Sequence, residues 1–152
     1  MRIEPIKEDK KRYLDLLLLA DEQESMIDEY LEDGEMFVLF DPNAVGQCVV
    51  ADLGDGRFEI KSLSVDPRWQ RRGYGRALID FVLRRYADRC SLMLVGTGDS
   101  PLTIPFYEKC GFRVHHRVPN FYTENYDHPI FEAGKQLVDK VYLAQSCGED
   151  QS

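Results

Sequence analysis

The sequence predicts an α/β (α+β) chain built on one mixed, mostly antiparallel sheet of about seven strands, flanked by about four helices. Three observations carry this. Short strand-like runs separated by turn residues recur before and after the middle of the chain. A long amphipathic stretch, residues 73–89, puts Ile79, Val82, Leu83 and Tyr86 on one stripe. The compact apolar run at 91–95 suits a strand covered on both faces.

In chain order, residues 2–6 read as a short first strand. Residues 8–20 read as a helix with Leu14, Leu17 and Leu18 on one face. A short helix at 25–31 has Ser25 as its N-cap and Gly34 as its terminator. Residues 36–40 form a strand, Asp41-Pro42-Asn43 a turn, and 45–53 the next strand. Gly54-Asp55-Gly56 makes a hairpin turn into a strand over 57–65. The long helix carries Arg84, Arg85 and Arg89 near its C-terminal end, where the helix dipole favours cations. After the strand at 91–95, Gly96-Thr97-Gly98-Asp99 turns the chain into a helix over 102–110, closed by Gly111. Pro105 is tolerated only near that helix's start. Residues 112–121 and 137–144 are the last strands, so one domain covers 1–145 and residues 146–152 form a frayed tail.

At 152 residues, 43% hydrophobic and 30% charged, the chain has the makeup of one globular domain. Its longest apolar run, residues 16–20, is far short of the roughly 20 needed to span a bilayer, and the N-terminus lacks a signal peptide's apolar core. A cytoplasmic protein without a membrane partner is expected. Cys48, Cys90, Cys110 and Cys147 show no short metal or redox spacing, so reduced thiols are expected. His115 and His116, as neighbours on a strand, should point to opposite faces, and no metal is expected. The net charge of −8 argues against nucleic acid as a partner and favours a cationic one.

The chemistry concentrates at residues 58–78. A strand ends at Val65, and a loop rich in arginine and glycine leads straight into the long helix. Unpaired N–H groups at a helix start hold phosphate, and glycine at 73 and 75 lets them approach closely. Arg71, Arg72 and Arg76 would neutralise its charge. Four arginines between 68 and 76, in an otherwise acidic chain, mark an anion site. No Gly-Lys-Ser/Thr follows, which excludes a P-loop.

Gln70-Arg71-Arg72-Gly73-Tyr74-Gly75 resembles the acetyl-CoA signature of the GNAT superfamily of N-acetyltransferases, Gln/Arg-x-x-Gly-x-Gly/Ala. The similarity extends back through Glu59 to Pro67, resumes at residues 106–112, and in element order covers the chain to about Ala144. The resemblance implies a GNAT-like fold and an enzyme that moves acetyl from acetyl-CoA, without a metal, to a primary amine by direct attack in a ternary complex. It implies that the loop from Arg71 through Arg72, Gly73, Tyr74 and Gly75 to Arg76 holds the diphosphate. The main chain of Leu63, Ser64 and Val65 would pair with the pantetheine arm, and an N–H near Val65 would polarise the thioester carbonyl. Tyr107 matches the family's general acid, against a role as a packing tyrosine. Glu59 matches its general base, against a surface carboxylate paired with Lys61; by parity it shares a face with Leu63 and Val65 unless a bulge intervenes.

Asp99 departs from the family, which often places asparagine there, and is expected to cap the next helix or face the substrate. The acceptor should meet residues 120–135, where Tyr126, Asp127 and Glu132 suit a cationic amine, or where aromatics fill core or a dimer contact. That segment is similar to the tail of uncharacterised bacterial GNAT proteins. A small-molecule acceptor is expected ahead of a protein N-terminus or lysine, with a silent acyl-CoA-binding module as the rival class. The resemblance also suggests a homodimer.

Overall fold

Period-two alternation sorts the strand residues onto two covered faces. In β2 (Glu35–Phe40), Phe37 and Leu39 enter one apolar cluster while Met36 and Val38 enter another. The computed structural model, which describes residues 1–147, extends this pattern across a seven-stranded sheet. Its other strands are β1 (Arg2–Ile6), β3 (Ala44–Gly54), β4 (Arg57–Val65), β5 (Leu92–Gly98), β6 (Arg113–Val118) and β9 (Lys140–Ser146). They run in the order β1-β2-β3-β4-β5-β9-β6, and only β4 and β5 are parallel.

Helix α3 (Tyr74–Arg85) covers one face. Leu78, Ile79 and Val82 are fully buried there beside Phe58 and Tyr86, each contributing about 1.5–3 kcal/mol by leaving water. Helices α1 (Leu14–Ala20) and α2 (Glu24–Ile27) cover the other, where Leu17, Ile27 and Leu31 meet Met36, Val38 and Val49.

Several boundaries differ from those read in the sequence. A 3-10 turn (Lys10–Tyr13) replaces the start of the first helix. α2 begins after Gln23 rather than at a Ser25 cap, and it stops at Ile27. Lys10 explains how the chain leaves that helix at little cost. Its buried ammonium donates to the carbonyls of Leu31 (2.8 Å), Glu32 (3.2 Å) and Gly34 (2.8 Å).

Gly96, Thr97 and Gly98 do not turn but continue β5, opposite Tyr142, Val141 and Lys140 of β9. The glycines serve neighbours instead. A Cβ at 96 would lie 2.3 Å from Lys140 Cε, and one at 98 would lie 2.5 Å from Leu137 Cδ1. Helix α4 (Ile104–Lys109) follows. β6 stops at Val118, and a fifth helix, α5 (Phe121–Asn125), stands where strand was expected. β7 (Phe131–Glu132) and β8 (Lys135–Gln136) form a separate small hairpin.

The C-terminal expectation also changes. β9 runs to Ser146, which pairs with Leu92, and Cys147 is buried. Only residues 148–152 of the expected tail lie outside the described residues. Cys147 is joined to Cys90 with a Cα–Cα separation of 5.6 Å, so reduced thiols hold only for Cys48 and Cys110. The cause is topological. β9 returns antiparallel along β5, which brings its end to the residue where β5 begins. His115 and His116 likewise depart from strict alternation. A bulge between Val114 and His116 brings their Nδ1 atoms to 2.8 Å.

Candidate active site

The site begins with a bulge. Val49 stands opposite Ser62 and Val50 opposite Ile60, so Lys61 has no register partner on β3. β4 and β5 pair only from Arg57/Leu92 to Ile60/Val95, although both strands run on. Beyond Ile60 they part, and the β5-side edge of β4 lies open from Lys61 to Val65. The bulge also overturns the expected parity. Leu63 packs against the α3-side core, while Ser64 Oγ donates to the Leu16 carbonyl of α1 at 2.5 Å. Gln47 Nε2 donates to Ser62 Oγ (2.7 Å) and Ser64 Oγ (3.1 Å). What Ser64 can offer the open edge is therefore main chain.

The open end of β4 borders a cleft of about 720 Å³, shared with the start of α3 and with α4. A 3-10 turn (Pro67–Trp69) and two left-handed residues, Arg71 (φ 66°) and Gly73 (φ 83°), steer the chain from β4 into α3. Gly73 at the N-cap has no side chain to cap α3, which suits its first N–H groups to an anion. At Gly75 a Cβ would lie 3.1 Å from Phe106 Cζ, a tight contact, so glycine eases the close packing of α4. Leu63, Ser64, Val65, Arg71, Gly73, Tyr74, Gly75 and Arg76 all line this cleft.

Arg72 does not join them. Its guanidinium lies over the Trp69 ring, 4.7 Å from the centroid. Arg76 also donates to the Lys109 carbonyl at 2.9 Å, and the Tyr74 hydroxyl donates to the Asp41 carboxylate.

A second cavity, about 290 Å³, is lined by both strands where they part, residues 60–63 of β4 and 95–98 of β5. Its walls include Asp21 and Glu22 from the α1–α2 link, Lys61 from the bulge, Tyr122 and Tyr126, and Lys140 from β9. Tyr107 and Glu132, together with Leu19, Leu63 and Thr103, line both spaces and mark their seam. Tyr107, on α4, is 8% exposed and packs edge-on against Phe106 and Phe112. Burial pushes its phenol well above the ordinary tyrosine range, so it stays protonated. Glu132 Oε2 is buried without a hydrogen-bond partner among the described residues.

Other expected residues lie elsewhere. Glu59 is 5% exposed, pairs with Lys61 at 3.3 Å, and lines neither space. The Asp127 side chain is 80% exposed and holds His128, outside the cavity. Tyr126 does line the cavity, and its hydroxyl donates to Asp21 Oδ1 at 2.8 Å. Burial raises the Asp21 carboxyl above its usual range. Asp99 neither caps α4 nor faces these spaces; it takes Arg117 at 3.1 Å. Asp21 and Lys140 carried no sequence motif. The one signal for Lys140 was a charge within a strand of the sheet interior. Among the described residues, no His/Cys/Asp/Glu group of three or more is arranged to hold a metal ion.

This geometry has known counterparts. The model of the acetyltransferase (GNAT) domain family matches residues 32–114. An uncharacterised N-acetyltransferase of Bacillus subtilis, YvbK, is 34% identical over 146 residues, covering 94% of each chain. A GNAT family acetyltransferase from Elizabethkingia anophelis, solved with acetyl-CoA bound, superposes with a TM-score of 0.90 at 30% identity, over 95% of this chain and 97% of that one. A Bacillus subtilis acetyltransferase in complex with CoA gives a TM-score of 0.87 at 32% identity, over 95% and 97%.

Proposed function

The chain belongs to the GNAT family of acetyltransferases and uses acetyl-CoA, and from that premise we propose that it acetylates the primary amine of a small molecule by direct attack, with both substrates bound at once. The observation that carries this reading is the seam. Two spaces meet at Tyr107 and Glu132, so a donor in one and an acceptor in the other share the same pair of proton-handling groups.

Acetyl-CoA supplies the activated acyl group and a thiolate leaving group. The open main chain of Leu63, Ser64 and Val65 lies where an extended arm can pair with β4, and the N–H groups opening α3, with Arg71 and Arg76, suit its diphosphate. A main-chain N–H near Val65 polarises the thioester carbonyl. Glu132 accepts the proton that the attacking amine must lose, and its unpartnered oxygen at the seam supports that role over Glu59, which lines neither space. Glu59 instead orients Lys61. As the C–N bond forms and the C–S bond breaks, Tyr107 gives its proton to sulfur. Exchange through solvent from Glu132 to Tyr107 closes the proton count.

The limited volume of the acceptor cavity favours a compact molecule over a protein chain. Dependence on acetyl-CoA favours a cytoplasmic place of action.

The test is thiol release from acetyl-CoA against a panel of small amines and of peptides, with both substrates varied. Intersecting double-reciprocal lines with a small amine are expected. Parallel lines would replace direct attack with an acyl-enzyme route, and turnover with peptides alone would remove the small-molecule acceptor.

A further inference from the structure

The charges lining the acceptor cavity are not equally satisfied. Asp21 accepts from Tyr126, Glu22 meets His128 at 2.8 Å, and Lys61 meets Glu59 at 3.3 Å. Two charged groups remain less satisfied among the described residues: Glu132, whose buried Oε2 has no hydrogen-bond partner there, and Lys140. The Lys140 ammonium makes no ion pair or hydrogen bond with any described residue. It rests over the rings of Phe121 and Tyr142, 4.4 and 5.1 Å from their centroids.

That posture is built, not incidental. Lys140 crosses β5 at Gly96, where a Cβ would meet its Cε at 2.3 Å. A side chain at 96 would force Lys140 Cε and the Tyr142 ring, 2.9 Å away at Cε1, to shift, so glycine leaves the room the lysine occupies. Withdrawing an ammonium from water is costly unless an anion compensates it, and the two rings offer only partial compensation. Burial lowers the Lys140 pKa, and the more distant charges of Glu59, Asp21 and Glu29 oppose that shift without reversing it.

One open anion and one open cation lining the same cavity describe a ligand with the opposite pair. We infer that the acceptor is an amino acid-like molecule whose amine meets Glu132 and whose anionic group, a carboxylate or a phosphate-like equivalent, is held by Lys140. This rests on the transferase reading and names the acceptor class for that same site. It replaces the purely cationic acceptor suggested by net charge, because the local pattern of partners decides recognition and the global charge does not.

The experiment compares kcat/KM for a set of α- and ω-amino acids, their methyl esters and the matching aminophosphonates. Wild type is expected to prefer acids or phosphonates over esters by at least tenfold, and the phosphonate arm separates the two anion types. Lys140→Met should lower kcat/KM for the preferred anions at least tenfold more than for the esters, and Lys140→Arg should keep part of the preference. A loss of fold in Lys140→Met would depress all acceptors together, and in that case the Lys140→Arg ratio decides. Acetyl-CoA binding is followed by calorimetry in parallel. Intact binding with no acid or phosphonate preferred over its ester, including a panel in which nothing turns over, overturns this inference and leaves the transferase reading standing. Absent acetyl-CoA binding would overturn the transferase reading itself.

Discussion

The Glu59 carboxylate lies 3.3 Å from the Lys61 ammonium and lines neither space, while Glu132 stands at the seam with an oxygen unpaired among the described residues. Glu59, read from the sequence as the base, and Glu132, read there only as an acceptor contact, thus differ in what they can reach. Glu132→Gln should lower kcat by about 10²–10⁴-fold, the usual contribution of a positioned base. Glu59→Gln should act mainly through Lys61, with less than about tenfold loss in kcat. Steady-state rates on one accepted amine decide it, and the reverse ranking would return the base role to Glu59.

Tyr107 touches both spaces, and its raised pKa keeps the phenol protonated across the working range. Tyr107→Phe removes one oxygen and keeps the edge-on packing against Phe106 and Phe112. kcat should fall by about 10²-fold or more, with the CoA dissociation constant unchanged by calorimetry. Equal turnover would make Tyr107 a packing residue.

The two neighbouring arginines of the loop should part company. Arg71 lines the cofactor cleft, whereas Arg72 lies on Trp69. Arg71→Glu should weaken acetyl-CoA binding by tenfold or more, with the effect shrinking at high salt as screening sets in. Arg72→Glu should change affinity by about twofold or less, since an exposed cation–π contact contributes only about 0.5–1 kcal/mol and does not face the cleft. Comparable losses in the two variants would place Arg72 on the diphosphate after all.

What could be read in the sequence was what is decided locally. The strand ending at Val65, the loop through Arg71 and Gly73, and the stripe of α3 all follow from nearest neighbours and period. The two working spaces depend instead on the bulge at Lys61, which shifts every later β4 residue to the opposite face and parts β4 from β5. No residue type announces a bulge. Gly96 and Gly98 misled for a related reason. Glycine there leaves room for Lys140 and Leu137, side chains from a distant strand and its approach, and makes no turn. α5 and the β7–β8 hairpin are short pieces fixed by contacts such as Tyr126 to Asp21, 105 residues apart in sequence. Cys90 and Cys147, 57 residues apart, meet only because β9 inserts beside β5.

That cross-link has a measurable weight. A bridge closing 57 residues restricts the unfolded chain by about 4 kcal/mol in the chain-entropy description. For a chain of this length, reduction or Cys147→Ser should lower Tm by about 10 °C. Acetyl-CoA affinity should hold at temperatures where the reduced chain remains folded, because neither cysteine lines the cofactor cleft. Intact mass under non-reducing conditions checks the bond itself; a reduced mass after aerobic purification, with the same Tm in dithiothreitol, would overturn the contribution.

His128 ties the approach to β7 onto the α1–α2 link, with Nδ1 2.5 Å from Asp127 Oδ1 and Nε2 2.8 Å from Glu22 Oε1. Both carboxylates favour the protonated ring, Asp127 most, and raise its pKa above the ordinary 6.5. A histidine held more tightly protonated in the folded state stabilises fully below its unfolded pKa, and that stabilisation is lost as pH rises through the folded one. Glu22 lines the acceptor cavity, so the clamp bears on the cavity wall. KM for the acceptor should therefore rise as the ring deprotonates, with kcat little changed, and His128→Gln should flatten that profile. An NMR titration should place the His128 midpoint above 6.5 and move it down in Glu22→Gln. A midpoint at or below 6.5 would mean that the clamp does not hold in solution.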